Sequence, residues 1–195
     1  ASHDLQEPLR MVTSYVQLIE KRYKDKLDKD ASDFIYYAVD GAKRMHVLIN
    51  DLLAYSRIST KAKTFELVSC DGLLKKAIKN LEITIQDSKS QITHDDLPEV
   101  LVDEIQFIQL FQNLIGNAIK FRKNGKVPVI HISCKRQDDD WVFSIEDNGI
   151  GIDKKYYEKI FLIFQRLHLR NEYPGTGIGL AVCKKIVERH KGKIW

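Results

Sequence analysis

The amino-acid sequence predicts an α+β protein, in which an N-terminal antiparallel helical hairpin precedes an α/β sandwich domain with a mixed sheet packed on helices. Two observations lead to this prediction. Over the first 60 residues, apolar side chains recur in steps of three and four, the spacing of amphipathic helices. Beyond residue 64, strand-like runs are mixed with helical stretches, which is typical of layered α+β domains. We therefore expect domains at residues 1–60 and 65–195.

The first domain consists of two amphipathic helices joined by the polar turn KDKLDKD at residues 24–30. Such a pair forms an antiparallel hairpin. A lone hairpin cannot cover two wide apolar stripes, so we expect two chains to associate as a four-helix bundle. The stripes are formed by Leu5, Leu9, Val12, Val16 and Ile19 in the first helix and by Ile35, Ala38, Ala42, Met45, Ile49 and Leu52 in the second.

The second domain is predicted to begin after a small polar linker at residues 59–64. Strands are predicted in the runs FELVSC, SQITHDD, EVLVD, VPVIHISCKR and WVFSIEDN, and the last two are joined by a turn at QDDD. Helices are predicted at residues 71–81, 103–122 and 179–190.

The composition argues against several classes of function. The net charge of +4 comes from 31 basic and 27 acidic residues that are mixed along the chain, whereas a nucleic-acid binder clusters its basic side chains. No uncharged apolar run approaches the roughly 20 residues needed to cross a bilayer, and no signal-peptide pattern begins the chain. Cys70, Cys134 and Cys183 lie far apart without a C-x-x-C pair, which favours reduced thiols in a cytosolic protein over a metal site.

The long predicted helix carries no charged side chain over residues 105–119. Gln109, Asn113, Asn117 and Lys120 follow one another in steps of four, four and three and therefore share one face. Two interpretations remain open. The amides could form an internal network, because an unpaired buried amide costs about 1–3 kcal/mol. Alternatively, the face lines a ligand cleft in which an Asn carbonyl binds a hard cation such as Mg²⁺ and the lysine meets a phosphate.

The run FSIEDNGIGI ends a predicted strand with a carboxylate and two glycines. Because strand side chains alternate, Phe143, Ile145 and Asp147 share a face, which predicts Asp147 at the end of a buried row. A buried carboxylate only accepts hydrogen bonds, so it would bind the amino group of adenine and reject guanine. Gly149 turns the chain and Gly151 keeps the backbone bare. The alternative is an ordinary Asx turn between strand and loop.

A third motif, YPGTGIGLAVCKKIV, places Gly175, Gly177 and Gly179 before an amphipathic helix. Bare backbone amides at a helix start form an anion site that the helix dipole reinforces. The spacing is neither that of a Walker A loop nor that of the dinucleotide fingerprint, and the sequence lacks the H-R-D and D-F-G motifs of protein kinases. A flexible loop without a ligand is the alternative interpretation.

Together, five ordered motifs resemble those of the sensor histidine kinase core. HDLQEPLR resembles the family's phosphoacceptor box, NLIGNAIKF its N box, DNGIGI its first glycine box, IFLIFQRL its F box and GTGIGL its second glycine box. The first box, with YAVDGAKRMHVLINDLLAYSR, is most similar to kinases attached to phytochrome or PAS sensors. The resemblance implies a dimerisation and histidine phosphotransfer domain at residues 1–60 and a Bergerat-type catalytic ATP-binding domain at residues 65–195.

The resemblance further implies that the protein phosphorylates its own His3 with ATP and Mg²⁺ and passes the phosphoryl group to an aspartate of a response regulator. His3 would be the nucleophile. A free imidazole has a pKa of about 6.5, so a neutral ring is available near neutral pH. Asp4 would orient the ring or take its other proton. Pro8 cannot donate to the carbonyl of Asp4, which predicts a bend that loosens the helix around His3.

The nucleotide contacts are likewise implied by the resemblance. Asn117 would bind Mg²⁺, and Asn113 and Lys120 would contact the phosphates. Asp147 would take the adenine amino group. The two glycine boxes would shape the walls of the site through Gly149, Gly151, Gly175, Thr176, Gly177, Gly179 and Leu180.

A mobile lid over the nucleotide is implied at residues 162–174. Phe161 and Phe164 would anchor its base, although plain core packing would explain both residues equally well. Arg166 matches a lid-proximal arginine of the family and would stabilise charge on the γ-phosphate. A solvated charge is the alternative for this residue.

Two other functions fit parts of the sequence. Related ATPases of the gyrase, Hsp90 or MutL type share the N and glycine boxes, but they lack the hairpin and use a glutamate at the position of Gln112 to activate water. A dimeric scaffold that binds ATP without transferring it would carry the same nucleotide boxes. Many family members have Thr or Asn at the position of Glu7, where that residue helps to dephosphorylate the partner, so the resemblance does not extend to phosphatase activity.

The expected partners are a second copy of the chain and the receiver domain of a response regulator, without nucleic acid. The expected location is cytoplasmic, with membrane attachment only through a sensor region outside this chain. The sequence begins just before His3 and ends at KGKIW, where the family usually adds a strand hairpin. We therefore expect a fragment that lacks the last strands of its second domain.

Overall fold

The computed structural model describes residues 2–60, 63–169 and 172–195, without the side chains of residues 2–5, 59 and 60. The order of its elements confirms the predicted fold class, because a helical hairpin is followed by an α/β domain with a mixed sheet. The chain divides into two compact units, Ala1–Ser56 and Arg57–Trp195.

The first unit is built from two long helices. Helix α1 (Ser2–Tyr23) continues through Pro8 without interruption. A 3₁₀ turn (Lys24–Lys26) leads from α1 to helix α2 (Lys29–Thr60). The side-chain amide of Gln6 donates to Oδ1 of Asn50, which joins the beginning of α1 to the last third of α2. The helices are therefore antiparallel, as the sequence predicts.

The turn and the linker are both shorter than the sequence predicts. Asp28 caps the start of α2, because its Oδ1 accepts the N–H of Ala31 at 2.8 Å. Lys29 and Asp30, which were assigned to the turn, are already helical. Residues 59 and 60, which were assigned to the linker, are the last residues of α2. Helix propagation is easy once a helix exists, so polar residues at its ends join it.

Much of the apolar surface of the hairpin is exposed in the single chain. Ala42 is only 2% exposed, but Val12 and Met45 are each 48% exposed. The other large apolar side chains exposed along the two helices include Met11, Tyr15, Leu18, Ile19, Phe34, Tyr37 and Leu52. One hairpin alone therefore leaves its apolar stripes partly uncovered.

The second unit mixes strands and helices. Its described strands are β1 (Glu66–Ser69), β2 (Gln91–His94), β3 (Glu99–Val102), β4 (Val129–Gln137) and β5 (Asp140–Asp147). Its described helices are α3 (Cys70–Asn80), α4 (Glu82–Ser88), α5 (Glu104–Lys120) and α6 (Gly179–Arg189), with 3₁₀ turns at Lys154–Tyr156 and Lys159–Phe161. Sequence reasoning missed α4, since its 7 residues are too few to show a helical period.

The strands form two small sheets. Strand β1 pairs antiparallel with β3, and Leu67 lies opposite Leu101. The other sheet has the order β2-β4-β5. Strand β2 is parallel to β4, whereas β4 and β5 are antiparallel and joined by a turn in which Asp138 has a φ of +54°. This sheet is mixed, as the sequence predicts.

The core of the second unit is formed by side chains from α3, α5 and β4. Phe111 and Ile115 of α5 are 2% and 0% exposed, and Leu73 of α3 and Ile130 of β4 are fully buried. The rings of Phe107, Phe111 and Phe143 pack edge to face. This packing fixes the rotation of α5 and thereby turns its polar face away from the core.

The helices that the structure describes in both units are too polar or too short to form a membrane span. None of those in the described ranges combines the length and the apolar character that a transmembrane span requires.

Candidate functional site

One face of α5 carries polar side chains that are neither buried in the core nor fully exposed. Gln109, Asn113, Asn117 and Lys120 are all half-buried on this face. The Nδ2 of Asn113 donates to the backbone oxygen of Gly179 at 3.3 Å. The structure thus brings the N box together with the start of α6, where the second glycine motif ends.

Two cationic side chains, Lys120 and Arg166, lie against the glycine-rich loop near the C-terminal end of α5. Burial and the nearby guanidinium of Arg166 lower the pKa of Lys120 below its ordinary value. The Nζ of Lys120 lies 4.2 Å from the centroid of the Phe121 ring. A Cβ at Gly175 would lie 3.1 Å from the same Nζ. The result is an excess of positive charge beside the glycine-rich loop, which an anionic group such as a phosphate would offset.

The second glycine motif needs glycine for two independent reasons. Gly177 has a φ of +77°, and a Cβ there would lie 2.7 Å from the backbone oxygen of Gln165 and 3.0 Å from Cγ of Arg166. Gly175 has a φ of +147°. The neighbouring site candidates Thr176, Gly179 and Leu180 are half-buried. The loop therefore packs directly on the segment that carries Arg166.

Asp147 ends β5, and its carboxylate is exposed. Phe143 and Ile145, on the same face, pack against the core, but this buried row stops before Asp147. The expectation of a buried carboxylate is therefore wrong, because the strand runs beyond the edge of the core. Instead, Oδ1 accepts the N–H of Gly149 at 2.8 Å, the Asx turn that was the alternative interpretation. Gly151, two residues further on, has a φ of +73°.

The turn after β5 packs against the end of α5. The N–H of Ile150 donates to the backbone oxygen of Phe121 at 3.0 Å. A Cβ at Gly149 would lie 2.6 Å from that oxygen and 2.6 Å from Oδ1 of Asp147, so the position has no room for a side chain. The first glycine motif consequently lies beside the end of α5 that carries Lys120.

The segment assigned to the lid has neither helix nor strand in its described parts, residues 162–169 and 172–174. The Nη2 of Arg166 donates to the backbone oxygen of Tyr173 at 2.8 Å. The rings of Phe121, His168 and Tyr173 lie 5.1 to 6.0 Å apart, centroid to centroid. Sequence reasoning missed this cluster, because isolated aromatic residues in an irregular segment have no period that could reveal them.

The two phenylalanines assigned to the lid base differ in their surroundings. Phe161 is half-buried, and its ring centroid lies 6.0 Å from Nζ of Lys184. Phe164 is 54% exposed and has a φ of +65°, which is unusual for a bulky residue. Only Phe161 belongs to the packed part of the unit.

The candidate phosphoacceptor residues begin the hairpin. The backbones of His3 and Asp4 belong to the first turn of α1, whereas their side chains lie outside the described residues. Further along α1, Gln6 donates to Asn50, whose Nδ2 lies 3.1 Å from Nδ1 of His46.

The donor set near α5 fits a magnesium ion shared with phosphates better than a metal site made by protein alone. In the described residues, no group of three or more His, Cys, Asp or Glu is placed to hold a metal ion. Mg²⁺ prefers oxygen ligands and commonly takes one or two protein ligands together with substrate phosphates. The amide oxygen of Asn117 is a suitable ligand type for Mg²⁺, and Lys120 and Arg166 carry the positive charge that phosphates attract.

Two family models match the chain. Residues 1–61 match the His Kinase A (phospho-acceptor) domain. Residues 102–195 match the histidine kinase-, DNA gyrase B- and HSP90-like ATPase family. The fold and the motifs thus define a nucleotide-binding domain of this ATPase class joined to a phosphoacceptor hairpin.

Individual relatives agree with these matches. Over 195 residues the chain is 55% identical to cyanobacterial phytochrome A of Nostoc sp. (strain PCC 7120) and 51% identical to phytochrome-like protein Cph1 of Synechocystis sp. (strain PCC 6803). It spans 25% and 26% of their respective lengths. The crystal structure of full-length ShkA in complex with AMPPNP has the same fold, with a TM-score of 0.66 at 24% identity over 96% of this chain and 39% of ShkA. The chain belongs to the sensor histidine kinase family.

Proposed function

We propose that this chain is the kinase core of a two-component system. It phosphorylates His3 with ATP and transfers the phosphoryl group to an aspartate of a response regulator. Residues 1–60 form the dimerisation and histidine phosphotransfer domain, and residues 65–195 form the catalytic ATP-binding domain. Membership of the family supports this assignment, and so do the two family matches at residues 1–61 and 102–195.

The observation that carries the proposal is that Lys120 and Arg166 both lie against the glycine-rich loop. A Cβ at Gly175 would lie 3.1 Å from Nζ of Lys120, and a Cβ at Gly177 would lie 3.0 Å from Cγ of Arg166. Two cations beside one glycine-rich loop repel each other, and Arg166 adds to burial, the main cause, in lowering the pKa of Lys120. The arrangement becomes favourable when an anion with several charges, such as a triphosphate, lies between them. Asn113, which donates to Gly179 O at 3.3 Å, holds the loop end beside this position.

The remaining nucleotide contacts follow from the chemistry of each group. Asn117 offers an amide oxygen to Mg²⁺. Gly149 lets the turn pack on Phe121, and Gly151, whose Cβ position has nothing within 4 Å, leaves room for the base. Asp147 already accepts one hydrogen bond, but a carboxylate can accept several, so it can also bind the adenine amino group. Guanine presents a carbonyl oxygen at that position and would be repelled.

When bound, ATP with Mg²⁺ would supply the γ-phosphoryl group and leave as ADP, because the bridging P–O bond to the β-phosphate breaks as the bond to His3 forms. The chain holds the phosphates with Lys120 and stabilises their charge with Arg166. His3 presents a neutral imidazole nitrogen as the nucleophile, and Asp4 orients the ring or takes the proton from its other nitrogen. Positioning and electrostatic stabilisation account for most of the catalysis of phosphoryl transfer, so the chain needs no further reactive group.

Dimerisation and the partners belong to the same proposal. The exposed apolar side chains of the hairpin, such as Val12 and Met45, support a four-helix bundle made by two chains. A response regulator receiver domain is the phosphoryl acceptor. A cytoplasmic location accompanies this function, since ATP and receiver domains are found there, and any membrane attachment belongs to a sensor region of the whole protein.

The test is incubation of the purified chain with labelled ATP and Mg²⁺. We expect a phosphoprotein that is labile in acid and stable in base. The label should disappear in His3→Gln and remain in the matched control His46→Gln, which changes the other histidine of the hairpin. Label that survives in His3→Gln would overturn the site assignment. Binding without labelling would indicate a scaffold, and release of phosphate without protein label would indicate an ATPase.

A further inference from the structure

The side chain of Asn148 joins the first glycine motif to the start of β4. Its Oδ1 accepts the backbone N–H of Val129 at 3.0 Å, and its Nδ2 donates to the backbone oxygen of Val127 at 3.0 Å. The backbone N–H of Asn148 also donates to the backbone oxygen of Val129 at 3.3 Å. The residue that follows Asp147 is therefore bonded to one short segment through both its main chain and its side chain.

The side-chain amide takes the place of a backbone carbonyl in the ladder between β4 and β5. The last paired residues of these strands are Ile130 and Asp147. In a regular antiparallel ladder, a residue that donates to its partner also accepts a bond from it, so the N–H of Val129 would bond to the backbone oxygen of Asn148. Here Oδ1 accepts that bond instead. The main chain can therefore leave the sheet directly after Asn148 without leaving a donor unpaired.

The segment that Asn148 binds is itself fixed. Pro128 lies between the two bonded valines, and its side chain is fully buried. Its ring restricts the backbone, and its backbone oxygen accepts the N–H of Gln91, the first residue of β2, at 2.8 Å. A side chain that bonds to the main chain on both sides of Pro128 is thus attached to a rigid part of the unit.

Asn148 lies between the carboxylate assigned to the adenine base and the glycine that turns the chain. The carboxylate of Asp147 is exposed, so packing in the core does not fix its position. Its bond with the N–H of Gly149 at 2.8 Å attaches it to the turn. The turn in turn is attached to β4 by Asn148. The position of the Asp147 carboxylate therefore depends on the side chain of the next residue.

We propose that Asn148 is a positioning residue for recognition of the base, because its amide holds the turn in which Asp147 meets the amino group of adenine. This inference rests on the proposed kinase function. Asn148 does not contact the nucleotide itself and acts through Asp147. A base that meets an acceptor already held in place binds more tightly, since binding does not have to order that acceptor.

The role of Asn148 concerns the base and leaves the phosphates unaffected. The phosphates are assigned to Lys120 and Arg166 at the second glycine motif, whereas the bonds of Asn148 lead to β4. Inorganic tripolyphosphate has the charges of the ATP phosphates and lacks a base. It therefore serves as a probe that separates the two parts of the site.

Asn148→Ala removes both side-chain bonds with little risk to the fold. Asn148, Val127 and Val129 are exposed, so water can bond to the groups that lose their partner. Asn148→Asp is less suitable, because it would add a second negative charge beside Asp147. Asn124→Ala is the matched control, since it removes an exposed amide from the loop before β4 and leaves the bonds of Asn148 in place.

The variants are compared in the full 195-residue chain by isothermal titration with ATP and with tripolyphosphate, both with Mg²⁺, and by amide hydrogen exchange. We expect Asn148→Ala to bind ATP about tenfold more weakly, because the nucleotide must order a turn that two neutral hydrogen bonds, worth about threefold each, had held. Its affinity for tripolyphosphate should be unchanged. The Val129 amide should exchange faster, and Asn124→Ala should match the parent in all three measurements.

A double-mutant cycle tests whether Asn148 acts through Asp147. If it does, Asn148→Ala should weaken ATP binding much less in an Asp147→Asn background than in the parent, because the interaction that it positions is already reduced. Two independent residues would instead give effects that multiply. The cycle decides even if tripolyphosphate binds too weakly to measure.

Four outcomes would overturn the inference while the kinase function stands. The first is unchanged ATP affinity in Asn148→Ala, which would leave the amide a role in the fold alone. The second is an equal loss of affinity for ATP and tripolyphosphate. The third is a full effect of Asn148→Ala in the Asp147→Asn background, and the fourth is a Val129 amide that exchanges as slowly as in the parent. A parent chain that binds no ATP would overturn the kinase function and this inference with it.

Discussion

The backbone N–H of Asp103 donates to Nε2 of His190 at 3.0 Å, although the two residues are 87 positions apart in the sequence. Asp103 caps the start of α5 and His190 follows the end of α6, so this bond joins the ends of two helices. Since Nε2 accepts, the ring proton is on Nδ1, which donates to the backbone oxygen of Ile186 at 2.7 Å. The fold therefore selects a neutral imidazole with one defined tautomer.

We expect the free energy of unfolding to decrease as the pH falls below about 6.5, the ordinary histidine pKa. Burial is the main cause that lowers the pKa of His190 in the folded chain. Below the pKa that His190 has in the unfolded chain, the unfolded state binds a proton that the folded state does not. The contribution of neutral His190 to stability is therefore fully present above that pKa and is lost as the pH falls towards the lower pKa of the folded state. Urea unfolding between about pH 8 and about pH 5 measures this effect. His190→Gln should show a shallower pH dependence, and an equally steep one would contradict the expectation.

We expect Gly177→Ala to destabilise the second unit and to weaken nucleotide binding. A Cβ would clash at 2.7 Å with the backbone oxygen of Gln165, and a φ of +77° is strained for alanine. The cost should be about 1–3 kcal/mol, measured by urea unfolding. Gly116→Ala is the matched control, because nothing lies within 4 Å of its Cβ position in α5. That variant should be stabilised by about 0.5–1 kcal/mol, and a similar loss in both variants would argue against a local clash.

We expect Asp147→Asn to weaken ATP binding by about 10-fold to 100-fold, because a hydrogen bond between a charged acceptor and the adenine amino group is reduced. The substitution keeps an oxygen that can accept the N–H of Gly149, so the turn should survive. Isothermal titration with ATP and with GTP measures the effect. If the parent binds GTP as tightly as ATP, Asp147 does not read the base.

We expect Asn117→Asp to abolish phosphorylation of the chain. The added carboxylate would repel the phosphates and change the charge at the magnesium site, whereas its size is nearly that of asparagine. The measurement is labelling with ATP at several Mg²⁺ concentrations, with removal of the metal by a chelator as the reference. Labelling that is undiminished in the variant would remove Asn117 from the mechanism.

The sequence was enough to predict features formed by residues that are close together in the chain. It was not enough to predict contacts between residues that are far apart in the chain. The polar face of α5 and the two glycine motifs lie within short segments, so periodicity and spacing were enough to find them. Strand alternation correctly put Asp147 on the face of Phe143 and Ile145, but it cannot show where the core ends, and the carboxylate is exposed. Contacts such as that of Arg166 with Tyr173 depend on an irregular segment, for which no period exists.

The contacts of Asp103 with Arg189 and His190 illustrate the same limit. Asp103 was recognisable only as the first residue of a predicted helix, and Arg189 and His190 only as the end of another. Their pairing depends on how α5 packs beside α6. A single sequence does not reveal that packing, although it does predict both helices.

The exposed apolar side chains of the hairpin have a thermodynamic consequence. If two chains bury Val12, Ile19 and Met45 in a shared bundle, folding of the hairpin is linked to association, and its melting temperature rises with protein concentration. The second unit encloses Phe111 and Ile115 within one chain, so its own melting should be insensitive to dilution. Scanning calorimetry of a dilution series would then separate one transition that obeys mass action from another that does not.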